Sequence, residues 1–174
     1  MRLNRSDFST EELQRHFSNL NTGHRSARYV HIGEQKVSFL SFSEGRLIHS
    51  ENLPIGVQIL IDRFIKNDIP TEAEIEYTIT EIEDQLMARP VLKNKDQHLV
   101  INDELIASAL NLPKGKHQSF SKQEIESVFT EYAMLSMGRS PVLSQVEMDQ
   151  QYYVGILILR EILHHLYFDS VWVM

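Results

Sequence analysis

Arg46-Leu47-Ile48-His49-Ser50-Glu51-Asn52-Leu53-Pro54-Ile55-Gly56-Val57 is the stretch on which the reading of the fold turns. From Arg46 to Leu53 it alternates loosely between apolar and polar residues, as a strand with one buried face does. Pro54 fixes its own φ and Gly56 permits a close backbone approach, so the chain is expected to leave the strand and enter a helix near Val57. Ile55, Ile59 and Phe64 would then cover the sheet. Further on, Asp62-Arg63-Phe64 and Asp68-Ile69-Pro70-Thr71-Glu72 lead into a capping box, Thr71-Glu72-Ala73-Glu74. An apolar stripe follows at Ile75, Ile79, Ile82 and Leu86. Glu72, Glu74 and Glu76 suit the positive end of that helix, and Arg89, before Pro90, suits the negative end.

Upstream, Tyr29-Val30-His31-Ile32 and the run from Lys36 to Phe42 are rich in β-formers, and Ser43-Glu44-Gly45-Arg46 is a turn. With Arg46 to Leu53 they predict an antiparallel meander of three strands. Before it, Ser9-Thr10-Glu11-Glu12 is a capping box, with Phe8 and Leu13 as its hydrophobic staple. Leu13, Phe17 and Leu20 form the face of that helix, and Gly23 is its expected stop. Downstream, Leu99-Val100-Ile101 predicts a short strand followed by a helix from Glu104 to Leu112. Ser121-Lys122-Gln123-Glu124 opens a further helix through Ile125, Val128, Phe129, Tyr132 and Leu135, ended by Gly138. A last helix, from about Asp149 to Leu166, is apolar nearly all round, and Val171 to Met174 reads as a buried strand. The expectation is one α/β domain with a mixed sheet of about five strands and helices on its faces. Residues 1–26 would be a helix and lead-in, and residues 27–174 the sheet-bearing lobe.

Composition narrows the possible functions. A chain of 174 residues buries roughly 70% of its unfolded surface and needs no disulfide or metal to hold its core. It has no cysteine, which removes thiolate metal sites and a cysteine nucleophile and suits a cytoplasmic setting. Met1 to Asp7 lacks the apolar core of a signal peptide. The greasy stretch from Tyr152 to Phe168 is broken by Gly155, Arg160, Glu161, His164 and His165, so it reads as a buried helix and not a membrane span. A net charge of −7 without a basic stripe argues against nucleic acid as a partner.

The text from Gly45 to Leu86 resembles the second lobe of the exopolyphosphatase / guanosine-pentaphosphate phosphohydrolase (Ppx/GppA) family, which carries "SLPLGxxRLxERF…DPPTxxE" directly after a glycine-rich phosphate loop. Tyr153-Val154-Gly155-Ile156-Leu157-Ile158-Leu159, then Val171-Trp172-Val173, is similar to that lobe's later helix and strand. The resemblance runs from about Ala27 to Met174 and implies a ribonuclease-H-like lobe of the actin-like ATPase superfamily. It also implies that the first lobe, with the acidic groups that activate water and hold magnesium, lies outside this chain. The family's "DIGGGSTE" aligns with His31-Ile32-Gly33-Glu34-Gln35-Lys36-Val37-Ser38, of which Ile32 and Gly33 survive. Its second loop, "GGT", aligns with Asn102-Asp103-Glu104. Gly33, Gln35, Lys36 and Asn102 are therefore the candidate remnants of a phosphate site, with Glu34 placed where an anion should sit.

Three readings follow. The first is a non-catalytic lobe acting as a binding or interaction module, without a cofactor, with a protein partner, a missing first lobe or a second copy as its companion. The second is half of an active phosphohydrolase, with magnesium brought in when the other lobe is present. The third is an actin-like scaffold half. No catalytic residue and no metal ligand is assigned: Glu161 and His164 match half of a di-iron motif, but the other half is missing, and His164 and His165 suit the negative helix end. His31 reads as a satisfied core or edge histidine, and Lys36 as a lysine that blunts a strand edge.

Overall fold

The computed structural model describes residues 2–4, 6–20, 26–93, 97–144, 146 and 148–174; the expected stop at Gly23 lies outside the described residues. Strands β1 (Ser26–Ile32), β2 (Val37–Ser43) and β3 (Arg46–Leu53) form the expected antiparallel meander. β4 (His98–Ile101) adds in parallel to β1, and β6 (Ser170–Val173) adds in parallel to β4. A strand not foreseen, β5 (Gln118–Ser121), closes the far edge antiparallel to β6, so the order is β3-β2-β1-β4-β6-β5. The sheet thus has six strands and not about five. β5 escaped notice because only Phe120 is buried in a run of polar residues; ladder bonds to β6, and not an apolar pattern, make it a strand.

The two faces of the sheet carry different cores. On one, helix α1 (Thr10–Ser18) sets Leu13 and Phe17 against Ala27, Tyr29, Leu40 and Phe42. Phe17 stacks on Tyr29 with ring centroids 4.7 Å apart. The capping box of α1 forms as expected: Ser9 Oγ accepts from the Glu12 amide and Glu12 accepts from the Ser9 amide. The opposite face is covered by α2 (Val57–Phe64), α3 (Glu72–Met87), α4 (Glu104–Ala109), α5 (Lys122–Ser136) and α6 (Gln150–His165). The boxes at Thr71 and Ser121 form in the same way.

α6 packs against α2, α3, α4 and α5. Every residue from Tyr153 to Leu159 is buried, which follows from a sequence with no polar residue over two turns. A Cβ at Gly155 would stand 2.3 Å from Leu105 Cδ2, so the glycine lets α4 lie close against α6. α4 stops at Ala109 and not at Leu112, because Asn111 takes a left-handed φ of 54° that no helix continues. Lys36 lies in the connection between β1 and β2, two interior strands, and blunts no edge. Arg28 is a buried residue the sequence pattern hid: its Nε donates to Ser41 Oγ at 3.0 Å and its Nη1 to the Leu92 carbonyl. Burial pushes its guanidinium down to about 10.

Replacing Leu159 with alanine should lower stability by about 2–5 kcal/mol, the range for large-to-small changes in a packed core. Chemical denaturation measures it directly. A loss below about 0.5 kcal/mol, the scale of surface sites, would contradict the place of α6 in the core.

Candidate functional site

Because β1, β4 and β6 are parallel, their carboxyl ends share one edge of the sheet, the edge where open α/β sheets place ligands. The connections leaving β1 and β4 at this edge hold all four candidate residues: Gly33, Gln35 and Lys36 in one, Asn102 in the other. The first connection is held from behind by α2. The amide of Val57 donates to the Gly33 carbonyl at 3.0 Å, and those of Gln58 and Ile59 donate to the Glu34 carbonyl at 2.9 and 3.2 Å. A Cβ at Gly56 would meet the Glu34 carbonyl oxygen at 2.3 Å, which is why Leu53-Pro54-Ile55-Gly56 needs its glycine. With its carbonyls turned to α2, the connection presents amides on the other side.

Those amides are filled by the chain itself. The carboxylate of Asp7 accepts from the Gln35 amide through both oxygens at 3.1 Å and from the Lys36 amide at 3.2 Å. Gly33 makes room for it, since a Cβ there would lie 2.4 Å from Asp7 Oδ1. The carboxylate on this loop is therefore Asp7 and not Glu34, whose side chain is exposed.

The residues around Asp7 form a strap across all three strand ends. At β6, Arg2 Nε donates to the Met174 carbonyl at 2.7 Å. At β4, Leu3 bridges Asp103 in parallel, its amide donating to the Asn102 carbonyl at 3.1 Å and its carbonyl accepting from the Glu104 amide at 2.9 Å. Asn102 Oδ1 also accepts from the Leu3 amide and from His16 Nε2, both at 3.2 Å. At β1, His31 Nε2 donates to the Ser6 carbonyl at 2.9 Å. That bond places the proton on Nε2, and burial pushes the imidazole below its usual range, so His31 is neutral. Its Nδ1 stands 3.8 Å from Asp103 Oδ2. Asp103 is buried and caps α4, its Oδ1 accepting from the Ile106 amide at 3.1 Å.

The opening left at this edge is lined by Asn4, Glu104, Ser108, Asp149, Gln151 and Tyr152 among others. It presents two carboxylates and, among the described residues, no lysine or arginine. Among the described residues a polyanion finds no counter-charge there. Among the described residues, only Glu83, Glu161 and His165 draw together closely enough to share an ion. They lie on α3 and the last turn of α6, at the edge where β6 begins and away from the loops. His164 turns to Glu126 instead, at 3.1 Å.

Comparison with solved structures now has a geometry to meet. A Ppx/GppA phosphatase of Aquifex aeolicus superposes with a TM-score of 0.68 over 86% of this chain and 53% of its own length, at 21% identity. This chain has the fold of one lobe of a Ppx/GppA phosphatase. An exopolyphosphatase from Cytophaga hutchinsonii matches with a TM-score of 0.60 over 86% of this chain and 53% of that one, at 15% identity. A protein described as exopolyphosphatase-like matches with 0.66 over 96% and 61%, at 11% identity. The chain thus spans about half the length of the Ppx/GppA structures it matches. No protein-family model matches the sequence, and no curated protein does. Among the described residues no helix is long and apolar enough to cross a membrane.

Gly33, Gln35, Lys36 and Asn102 are brought to one edge, as the resemblance implied, and each meets the strap. Asp7 is the residue of this edge that the sequence did not mark. Its only local signal was a carboxylate just ahead of a capping box, which a lead-in explains equally well. Replacing Asp7 with alanine should cost about 1 kcal/mol, the scale of charge-assisted bonds discounted for an exposed carboxylate. It should also speed hydrogen exchange at the Gln35 and Lys36 amides while exchange in α6 stays as it was. Unchanged exchange at both amides would show that Asp7 does not hold them.

Proposed function

We propose that this chain is a non-catalytic Ppx/GppA-type lobe that serves as a binding or interaction module. The observation that carries the reading is the Asp7 carboxylate seated on the amides of Gln35 and Lys36, where a phosphate oxygen would have to go. Transfer of a phosphoryl group to water depends on donors and metal placed around the phosphates. Here the donors are taken by an internal carboxylate, the second loop carries Asp103 as a helix cap, and the neighbouring opening is acidic. The same charge balance favours a protein companion, or a second copy, over nucleic acid.

The half-enzyme reading keeps one specific support: the loop still binds an anion, since a carboxylate occupies it. One experiment weighs the two. Phosphate release by the purified chain, from long-chain polyphosphate and from guanosine pentaphosphate with magnesium present, should equal that of a heat-killed control. Asp7→Asn should not restore it. Turnover near one per second, an ordinary enzyme rate, would overturn the proposal.

A further inference from the structure

Between α3, α5 and α6, on the face of the sheet away from α1, lies a pocket of about 190 Å³ that the phosphate-loop edge does not include. Its walls are apolar, formed by Ile75 and Ile79 of α3 and by Phe129, Ala133 and Met137 at the end of α5. Tyr153 of α6 also lines it. The Tyr153 side chain is wholly buried, stacked on Tyr132 with centroids 5.1 Å apart, and its hydroxyl meets no polar group but the Ser136 hydroxyl. The Ser136 hydroxyl lines the same pocket, is likewise buried, and closes no bond of good geometry. Buried polar atoms almost always have well-made partners, and two hydroxyls that meet only each other at one pocket leave capacity for a polar atom from outside.

The charges around the pocket decide what kind of molecule fits. Arg160 lines it, but its Nε is held by Glu126 at 2.8 Å and its Nη1 by Glu161. Glu72 and Glu76, both exposed, line the pocket as well. Four carboxylates against one guanidinium exclude an anion. The size suits a single ring, since a dry apolar cavity of about 150 Å³ accepts benzene.

We propose that this pocket binds a small neutral molecule with an aromatic or compact apolar body and one hydroxyl. The body packs on Ile79 and Phe129, and the hydroxyl bonds to those of Tyr153 and Ser136. The site is independent of the strap and of any phosphohydrolase chemistry.

Phenol, toluene and benzoate are the probes, followed by side-chain NMR of the full chain. Phenol should shift the resonances of Ile75, Ile79 and Tyr153 saturably, toluene should bind more weakly, and benzoate should not bind. Tyr153→Phe should weaken phenol about three- to tenfold, the worth of one hydrogen bond, and leave toluene unchanged. Should that variant fold poorly, Ala133→Leu, at a half-buried position on the wall, is the second test and should abolish binding of both. Phenol binding that ignores both substitutions would overturn the proposal. So would a pocket that no probe enters, which would mean that water alone meets the two hydroxyls.

Discussion

Backbone polar groups at the end of a strand must find partners, and at the carboxyl ends of parallel strands they open onto a crevice with no next strand to supply them. In this molecule Arg2, Leu3, Ser6 and Asp7 meet that need for β1, β4 and β6 together. Leu3 extends the pairing beyond β4, Arg2 gathers the carbonyl of Met174, and Asp7 takes the outward amides of the β1–β2 connection. The placement of α1 follows, because the strap delivers the chain to the start of that helix with Phe8 against His31, ring centroids 5.3 Å apart. The smaller core, on the α1 face of the sheet, is thereby tied to the closure of one edge.

The arrangement separates two properties that travel together in a phosphate-binding loop. The shape remains: Gly33 still admits a close ligand, and Gly56 still lets α2 hold the loop carbonyls. The ligand that comes close is a carboxylate from the same chain. A backbone cradle does not distinguish carboxylate from phosphate by anything but size and charge, so an internal aspartate can satisfy it once it is tethered nearby.

α6 provides the second organising element. A helix apolar on all sides has to be surrounded, and the surrounding is done by α2, α3, α4 and α5. Its polar residues are pushed to the ends, where Asp149 caps the start and the last turn joins Arg160, Glu161, His164 and His165 to Glu126 and Glu83. Tyr153, at the start of the apolar run, is the exception: it carries a hydroxyl into the core that meets only that of Ser136.

The primary sequence by itself determined the local elements. Capping boxes at Ser9, Thr71 and Ser121 work through contacts three residues apart, and the meander from Ser26 to Leu53 is made by turns whose residues are adjacent, so both are written in short windows. The apolar run of α6 likewise announced its own burial. The tertiary structure alone decided the sixth strand, because the polar residues of β5 become a strand only when β6 lies beside them. It alone decided the site as well. Asp7 and Lys36 are separated by 29 positions, and nothing in either neighbourhood encodes the other. Gly33 and Asn102 could be read as remnants of a loop, but which atoms they meet depends on where the strap crosses the sheet, a question of long-range packing that no local pattern answers.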